Sequence, residues 1–315
     1  MFNRVQPKSF CYLVLVCFFL NGQLAFAEEV KEKSFFKKFE EKFISSNIAI
    51  SEYIDGIAEN IDNFIVYKKY QRKNETSIRV ENISSSSEGQ TVENVTHLNI
   101  NLKLPNVEDY FQLKFTTYDQ NEERGSRKRY AQPLVREQNF GAALGLFRNL
   151  GAVKTSFQPR IDLQDPLKVS HSLSFSSTSD MTTYEVNPKI EFFANPDKGT
   201  GVFLGMNLSF FLNDTYTLNL INEGEYEEKR NLFSTTIGTS LVQSITKNSF
   251  FAYSVFTFSN SRPAYHLHGY SFSVSWNHLL YKKILDYQVV PHLDFSQDSS
   301  FKGIAGIALG VSLNF

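Results

Sequence analysis

Beyond residue 27 this sequence contains no cysteine, because both of its cysteines, Cys11 and Cys17, lie earlier. A cysteine-free exported chain has no disulfides to hold it, so hydrogen bonding and burial must maintain the fold. Charge imbalance is missing too: 32 Lys and Arg meet 33 Asp and Glu, a formal charge of -1. Nucleic-acid binders carry a basic face, so that class is excluded. Nor does any apolar run after residue 27 approach the roughly 20 residues a helix needs to cross hydrocarbon, which excludes an α-helical membrane protein. Tryptophan occurs once, whereas there are 30 Phe and 15 Tyr at an ordinary hydrophobic content of 42%. Aromatic-rich strands with unremarkable mean hydropathy are the composition of a transmembrane β-barrel, since only every second residue meets lipid.

The N-terminus reads as an export leader. Arg4 and Lys8 precede the apolar stretch Phe10 to Leu20, and Ala25-Phe26-Ala27 supplies small residues for cleavage before Glu28. That order predicts a secretory signal peptide over 1–27. The apolar stretch is too short for a membrane anchor. Neither cysteine suits lipid attachment. Loss of Arg4 and Lys8 takes the charge of the processed chain to -3.

Residues 28–73 form a segment of helical character. Phe36, Phe39 and Phe43 make one apolar series, and Ile50, Ile54, Ile57, Ile61 and Phe64 make a second at spacings of four and three, with Lys, Glu and Asp opposite. This is an amphipathic helix, too polar to span a membrane. It suits a barrel mouth, a lumen plug, the periplasmic membrane surface or a periplasmic protein partner bound through 28–69. A packing helix with no further role is the plainer alternative.

From Asn74 to Phe315 the apolar period changes to two. Fourteen strands can be drawn: Ser77 to Ile83, His97 to Leu104, Tyr110 to Tyr118, Phe140 to Phe147, Val153 to Ile161, Lys168 to Ser176, Thr183 to Phe193, Gly201 to Leu212, Tyr216 to Asn222, Leu232 to Ile245, Phe250 to Phe258, Tyr265 to Trp276, Asp286 to Phe295 and Lys302 to Phe315. Merging a hairpin among the fifth, sixth and ninth gives twelve. Both numbers are even, as a barrel with both termini on one side requires. Asp119 to Gln138 is a long charged connection, and Glu223 to Arg230 reads as an acidic loop. Pro159, Pro188 and Pro291 should mark bulges or strand ends, since proline cannot donate to a ladder. The fold class expected is therefore all-β, a transmembrane antiparallel barrel preceded by a helical segment. A soluble β-sandwich also alternates and is the structural competitor.

On the barrel reading one face of each strand lines the interior. That set includes Arg79, Glu81, Gln112, Lys114, Glu185, Lys189, Glu191, Asp286, Gln288, His292 and Asp294. Such charges can line an aqueous channel or pair across the lumen and close it. His292 and Asp294 share a face, but no third ligand can be placed, so neither a metal nor another cofactor is expected. His268 and Ser271 are three apart, on opposite faces of a regular strand, which argues against a nucleophile and base pair. His266 and His268 share the face of Tyr270, Phe272, Val274 and Trp276, and Trp276 and Tyr281 suit an interfacial anchor.

The final segment alternates Leu309, Val311, Leu313 and Phe315 against Ala308, Gly310, Ser312 and Asn314. In this ending, the leader, the helical segment, the Pro105 turn and the Trp276 hairpin, the chain resembles uncharacterised outer-membrane β-barrel proteins of proteobacteria, with a porin-like organisation. The resemblance implies a bacterial outer-membrane location and contact with outer-membrane lipids. It also implies delivery by the barrel assembly machinery, with Val311, Leu313 and Phe315 as the assembly signal. It transfers no catalytic residue. Three functions follow: a channel for small solutes, a structural or partner-binding barrel with a closed lumen, and, third, a lipid hydrolase.

Overall fold

The structure is a computed structural model that describes residues 29–66, 76–103, 111–117, 124–125, 140–281 and 284–315. The leader 1–27, the Pro105 turn and all of the 119–138 connection except Arg124 and Gly125 lie outside the described residues. So do the side chains of Phe36, Ile54, Ile57, Ile61 and Phe64.

Among the described residues the chain begins with helix α1, Glu29–Val66. It falls in two compact units, one ending at Ile48 and one starting at Ala49. In the first, Phe39 and Phe43 stack one helical turn apart with ring centroids 6.1 Å from each other. In the second, the Asp55 carboxylate accepts a hydrogen bond of 3.2 Å from the amide of Thr76, one residue before the sheet starts.

Fifteen strands follow among the described residues: β1 (Ser77–Ser87), β2 (Glu93–Lys103), β3 (Phe111–Thr116), β4 (Gly141–Leu150), β5 (Val153–Asp162), β6 (Lys168–Ser177), β7 (Ser179–Asp180), β8 (Tyr184–Asn195), β9 (Gly199–Phe211), β10 (Tyr216–Glu227), β11 (Leu232–Thr246), β12 (Ser249–Asn260), β13 (His266–Leu280), β14 (Leu285–Ser296) and β15 (Ile304–Asn314). Apart from β6 and β7, which do not pair with each other, consecutive strands pair antiparallel. Two further pairings, β1 with β15 and β6 with β8, complete the circle. The two-residue β7 merely extends the β8 edge below β6. The architecture is thus a closed antiparallel barrel of 14 full strands. Closure follows from the chain's own ends: Ile78 and Phe315 exchange backbone hydrogen bonds of 3.1 and 2.8 Å. Among the described strands no edge is left to pair with another molecule.

The three strand prolines correct the sequence reading. Pro159 and Pro291 lie inside β5 and β14 rather than at bulges or ends. Each interrupts pairing toward one neighbour only. The β4–β5 ladder lapses between Ala143↔Arg160 and Leu146↔Phe157, and the β13–β14 ladder between Ser273↔His292 and Trp276↔Val289, with the register resuming unchanged. Pairing on the other side is intact at Pro159↔His171 and Pro291↔Ile307. The reason is that successive amides of an antiparallel strand point to alternate neighbours, so one missing N–H costs only one seam a bond. At Pro188 the loss falls at the limit of the β6–β8 ladder, which stops at Lys189.

The expected acidic loop from Glu223 is a second correction. β10 continues through Glu227, so Glu223, Glu225 and Glu227 are strand residues on the face of Asn219 and Ile221. A third concerns His266. The β12–β13 register shifts between Phe258↔Gly269 and Ser259↔Leu267, leaving His268 as the extra residue of a bulge. Beyond it His266 opposes Asn260, which lies on the face of Phe256 and Phe258, whereas Tyr270 opposes Thr257 on the other. A bulge reverses the alternation past it, so His266 does not share the face of Tyr270.

Candidate functional site

The two faces of the barrel wall differ in chemistry. On one, Leu204, Met206, Ile237, Val255, Phe272, Leu309 and Val311 are large apolar side chains left exposed. Toward one rim of that face, Trp276 packs edge-on to Tyr287 and parallel to Phe251, while its indole N–H donates to the Ser249 hydroxyl at 3.1 Å. An apolar belt with aromatic side chains at its margin is the surface that lipid requires, and the closed circle satisfies the backbone within it. The chain is a transmembrane β-barrel of the bacterial outer membrane.

The opposite, inner face is where Ile83, Ile221, Phe256 and Val290 are wholly buried and where the polar residues gather. Strand register places Arg79, Glu81, Gln112, Lys114, Glu185, Lys189, Glu191, Asp286, Gln288, His292 and Asp294 on this one face. They form separate clusters. At the closing seam Arg79 bridges three strands: its Nη2 lies 2.8 Å from Ser312 Oγ, 3.3 Å from Asp286 Oδ1 and 3.6 Å from Glu81 Oε1. Asn314 donates to the other Asp286 oxygen at 3.1 Å. His292 Nδ1 and Asp294 Oδ2 are 2.8 Å apart, with the imidazole lying across Gly306, where a Cβ would collide with the ring. Among the described residues no three metal-ligating side chains converge.

The most elaborate cluster is on β8, β9 and β10, and its central residue comes from elsewhere. Arg124 is eight positions beyond the end of β3, and β10 stands six strands round the ring from β3. Yet its guanidinium is buried against the inner face of that wall, with only 2% of the side chain exposed. Nε donates to Glu191 Oε1 at 2.8 Å, Nη1 lies 3.5 Å from Glu225 Oε1, and the guanidinium carbon sits 3.6 Å from the centre of the Phe193 ring. A desolvated cation–π contact of this kind is worth about 2 kcal/mol. Lys189 pairs with the second Glu191 oxygen at 2.8 Å and approaches the Arg124 carbonyl at 3.4 Å. Lys198 lies 3.3 Å from Glu225 and 3.4 Å from Glu227, and Arg230 3.3 Å from Glu227.

Strand pairing explains why the seat exists. Glu191, Phe203 and Glu225 oppose one another in one row across β8, β9 and β10, and Phe193 and Gly201 form the start of the next. The Phe193 ring lies over Gly201, where any Cβ would collide with it and with the Tyr226 carbonyl. Glycine is what lets an inward phenylalanine lie flat and offer its face to the arginine. Gly125 presses against Glu223 in the same way, a Cβ there falling 2.6 Å from Oε2. Elsewhere on the inner face, on β5, Arg160 is 2% exposed, donates from Nε to Asp162 at 2.6 Å and from Nη1 to the Thr116 hydroxyl. Thr116 ends β3 and pairs with Gly141, the first residue of β4, which pairs in turn with Asp162.

Sequence reasoning singled out Glu191 and Lys189 but missed Arg124, Phe193, Glu225 and Glu227. The alternation of residues 219, 221, 223, 225 and 227 was available as a signal for the β10 carboxylates. Nothing local marks Arg124 among the other cations of its connection.

No family model matches this chain, and no curated relative matches it. Solved structures do. OmpT of Vibrio cholerae lacking loop L8 aligns at 5% identity with a TM-score of 0.49, over 77% of this chain and 99% of that one. Salmonella typhi OmpF in complex with daunomycin aligns at 7% identity and a TM-score of 0.48, over 77% and 98%. The outer-membrane channel DcaP of Acinetobacter baumannii aligns at 8% identity and a TM-score of 0.44, over 77% and 97%.

Proposed function

We propose that this barrel is a channel for small solutes whose lumen wall is the polar inner face, including Arg79, Glu81, Gln112, Lys114, Glu185, Lys189, Glu191, Asp286, Gln288, His292 and Asp294. The observation that carries this reading is Arg124. A chain segment leaving the barrel at Thr116 returns an arginine to the inner face of β8 and β10, six strands away, and so narrows whatever passage the barrel encloses. A wall of alternating carboxylates and cations, most of them paired, suits hydrated polar solutes rather than apolar ones. The test is single-channel conductance of the processed protein in a planar lipid bilayer. Discrete openings in potassium chloride, larger for Arg124→Ala than for the parent, support the channel; a silent membrane with correctly folded protein refutes it.

A second reading concerns the helix. Phe39, Ile48, Ile50 and Tyr53 of α1 are exposed, Tyr53 by 72%. Apolar side chains left uncovered on an amphipathic helix favour a periplasmic protein partner bound through 28–69. Val311, Leu313 and Phe315, all on the lipid-facing side of the closing strand, are in this proposal the signal read by the assembly machinery.

A further inference from the structure

The seat of Arg124 is a more specific object than a lumen wall needs. We propose that the inner face of β8–β10 is a binding site for guanidinium-bearing cationic solutes, which Arg124 occupies as a built-in competitor; this deepens the channel reading and rests on it for the route by which a solute arrives.

Three features select that chemistry. First, the site offers a flat aromatic face, Phe193, fixed over Gly201, with a planar cation 3.6 Å above it. Planar guanidinium stacks on such a face while donating outward in its own plane, which a compact ammonium cannot do. Second, two carboxylates stand at the edge of that plane, Glu191 at 2.8 Å and Glu225 at 3.5 Å. Third, among the described residues Arg124 brings the cations level with the carboxylates. The linked carboxylates are Glu191, Glu225 and Glu227, with Glu223 beside Gly125; the cations rooted in the wall and its turns are Lys189, Lys198 and Arg230. Arg124 is the fourth cation against four carboxylates.

The fit of the resident arginine is incomplete. Its Nη1 is buried with no hydrogen-bond partner among the described residues, although Glu225 is 3.5 Å away. An arginine tethered through its own backbone makes the Glu191 bond at 2.8 Å and leaves the second bond long. A free guanidinium has no tether and can donate to both carboxylates, each a charge-assisted bond. The approach is also laid out. Glu227, Glu225 and Glu223 follow one another inward from the 228–231 turn on one face of β10, at intervals of about 7 Å set by the strand repeat.

The experiment is isothermal titration of the full-length processed protein in detergent with L-arginine amide, using choline as a cation without N–H donors. The parent should bind weakly. Arg124→Ala, and Arg124→Gln as a variant that keeps the segment polar, should bind arginine amide about tenfold more tightly or better, the scale of one stacked, charge-assisted contact. Adding Glu191→Gln and Glu225→Gln to Arg124→Ala should abolish binding. Affinity unchanged by removing Arg124, or choline bound as well as arginine amide, overturns the proposal. Potassium chloride conductance of the same preparations tests the channel reading separately, because binding in detergent does not require an open passage.

Discussion

The guanidinium of Arg124 lies 3.6 Å from the centre of the Phe193 ring, although the two residues are 69 positions apart and leave the barrel wall on strands four places distant. The contact requires a strand residue expected on alternation alone to be one more aromatic, a glycine opposite it, and an arginine that does not belong to the strand wall. Its removal has a structural consequence. Arg124→Ala leaves Glu191 with Lys189 and Glu225 with Lys198, so the wall keeps partners and the loss of stability should be modest, about 1–3 kcal/mol. Urea unfolding of the barrel in detergent measures it.

Gly201 should be far less tolerant than its small size implies. Gly201→Ala drives a Cβ into the Phe193 ring and the Tyr226 carbonyl, so the expected cost is about 1–3 kcal/mol together with loss of the Arg124 seat. Gly56 is the contrast. It lies within α1 with nothing within 4 Å of a Cβ, so Gly56→Ala should raise helix stability by about 0.5–1 kcal/mol. Thermal melts followed by circular dichroism, at strand and helix wavelengths, separate the two effects.

Adjacent residues of β6 test which face meets lipid. Leu173 opposes Phe157 and Phe192 on the apolar side, whereas Ser174 opposes Ser156 and Glu191 on the polar side. Leu173→Lys places a charge in hydrocarbon and should cost about 2–4 kcal/mol near the bilayer midplane. Ser174→Lys adds a cation opposite Glu191 and should cost little. Equal effects in a lipid-vesicle unfolding assay would reverse or void the face assignment.

The closing seam should be the sensitive point of assembly. Phe315 exchanges two backbone hydrogen bonds with Ile78, and deleting it removes both from the edge that seals the barrel. The deletion variant should accumulate less folded barrel in the outer membrane, seen as a smaller heat-modifiable fraction on gels. Phe315→Leu keeps the backbone bonds, so a defect equal to the deletion would show that the aromatic ring itself is read during assembly.

Deletion of 28–69 distinguishes the roles of the helix. The described seam is the pairing of β1 with β15 and β2, so the deleted protein should still fold and insert. If α1 binds a periplasmic protein through its exposed face, cross-linking at Tyr53 should capture that protein in the parent and nothing in the deletion variant. A barrel that fails to fold without 28–69 would make the helix a structural part instead.

Period-two alternation sufficed for most of the barrel, because lipid on one side and polar contacts on the other impose a local signal on every strand. The same local rule failed where its premise failed. It reversed at the His268 bulge, where one extra residue inverts the faces beyond it, and it stopped short in β10, where three glutamates were read as loop although each second residue still faced inward. The strand prolines read as breaks because the rule counts a lost hydrogen bond without knowing which of two seams would have used it.

What the sequence by itself determined is the class of molecule: a chain without cysteine beyond residue 27, rich in phenylalanine and tyrosine, whose strand faces are written two residues at a time. Those are properties of composition and near-neighbour spacing, and they survive without coordinates. Only the tertiary structure decided which cation meets which carboxylate. Arg124 finds Phe193, Glu191 and Glu225 because closure of fourteen strands brings distant segments to one wall, and Gly201 leaves room there for a flat ring. Such a meeting depends on curvature and register around the whole ring, which no window along the chain contains.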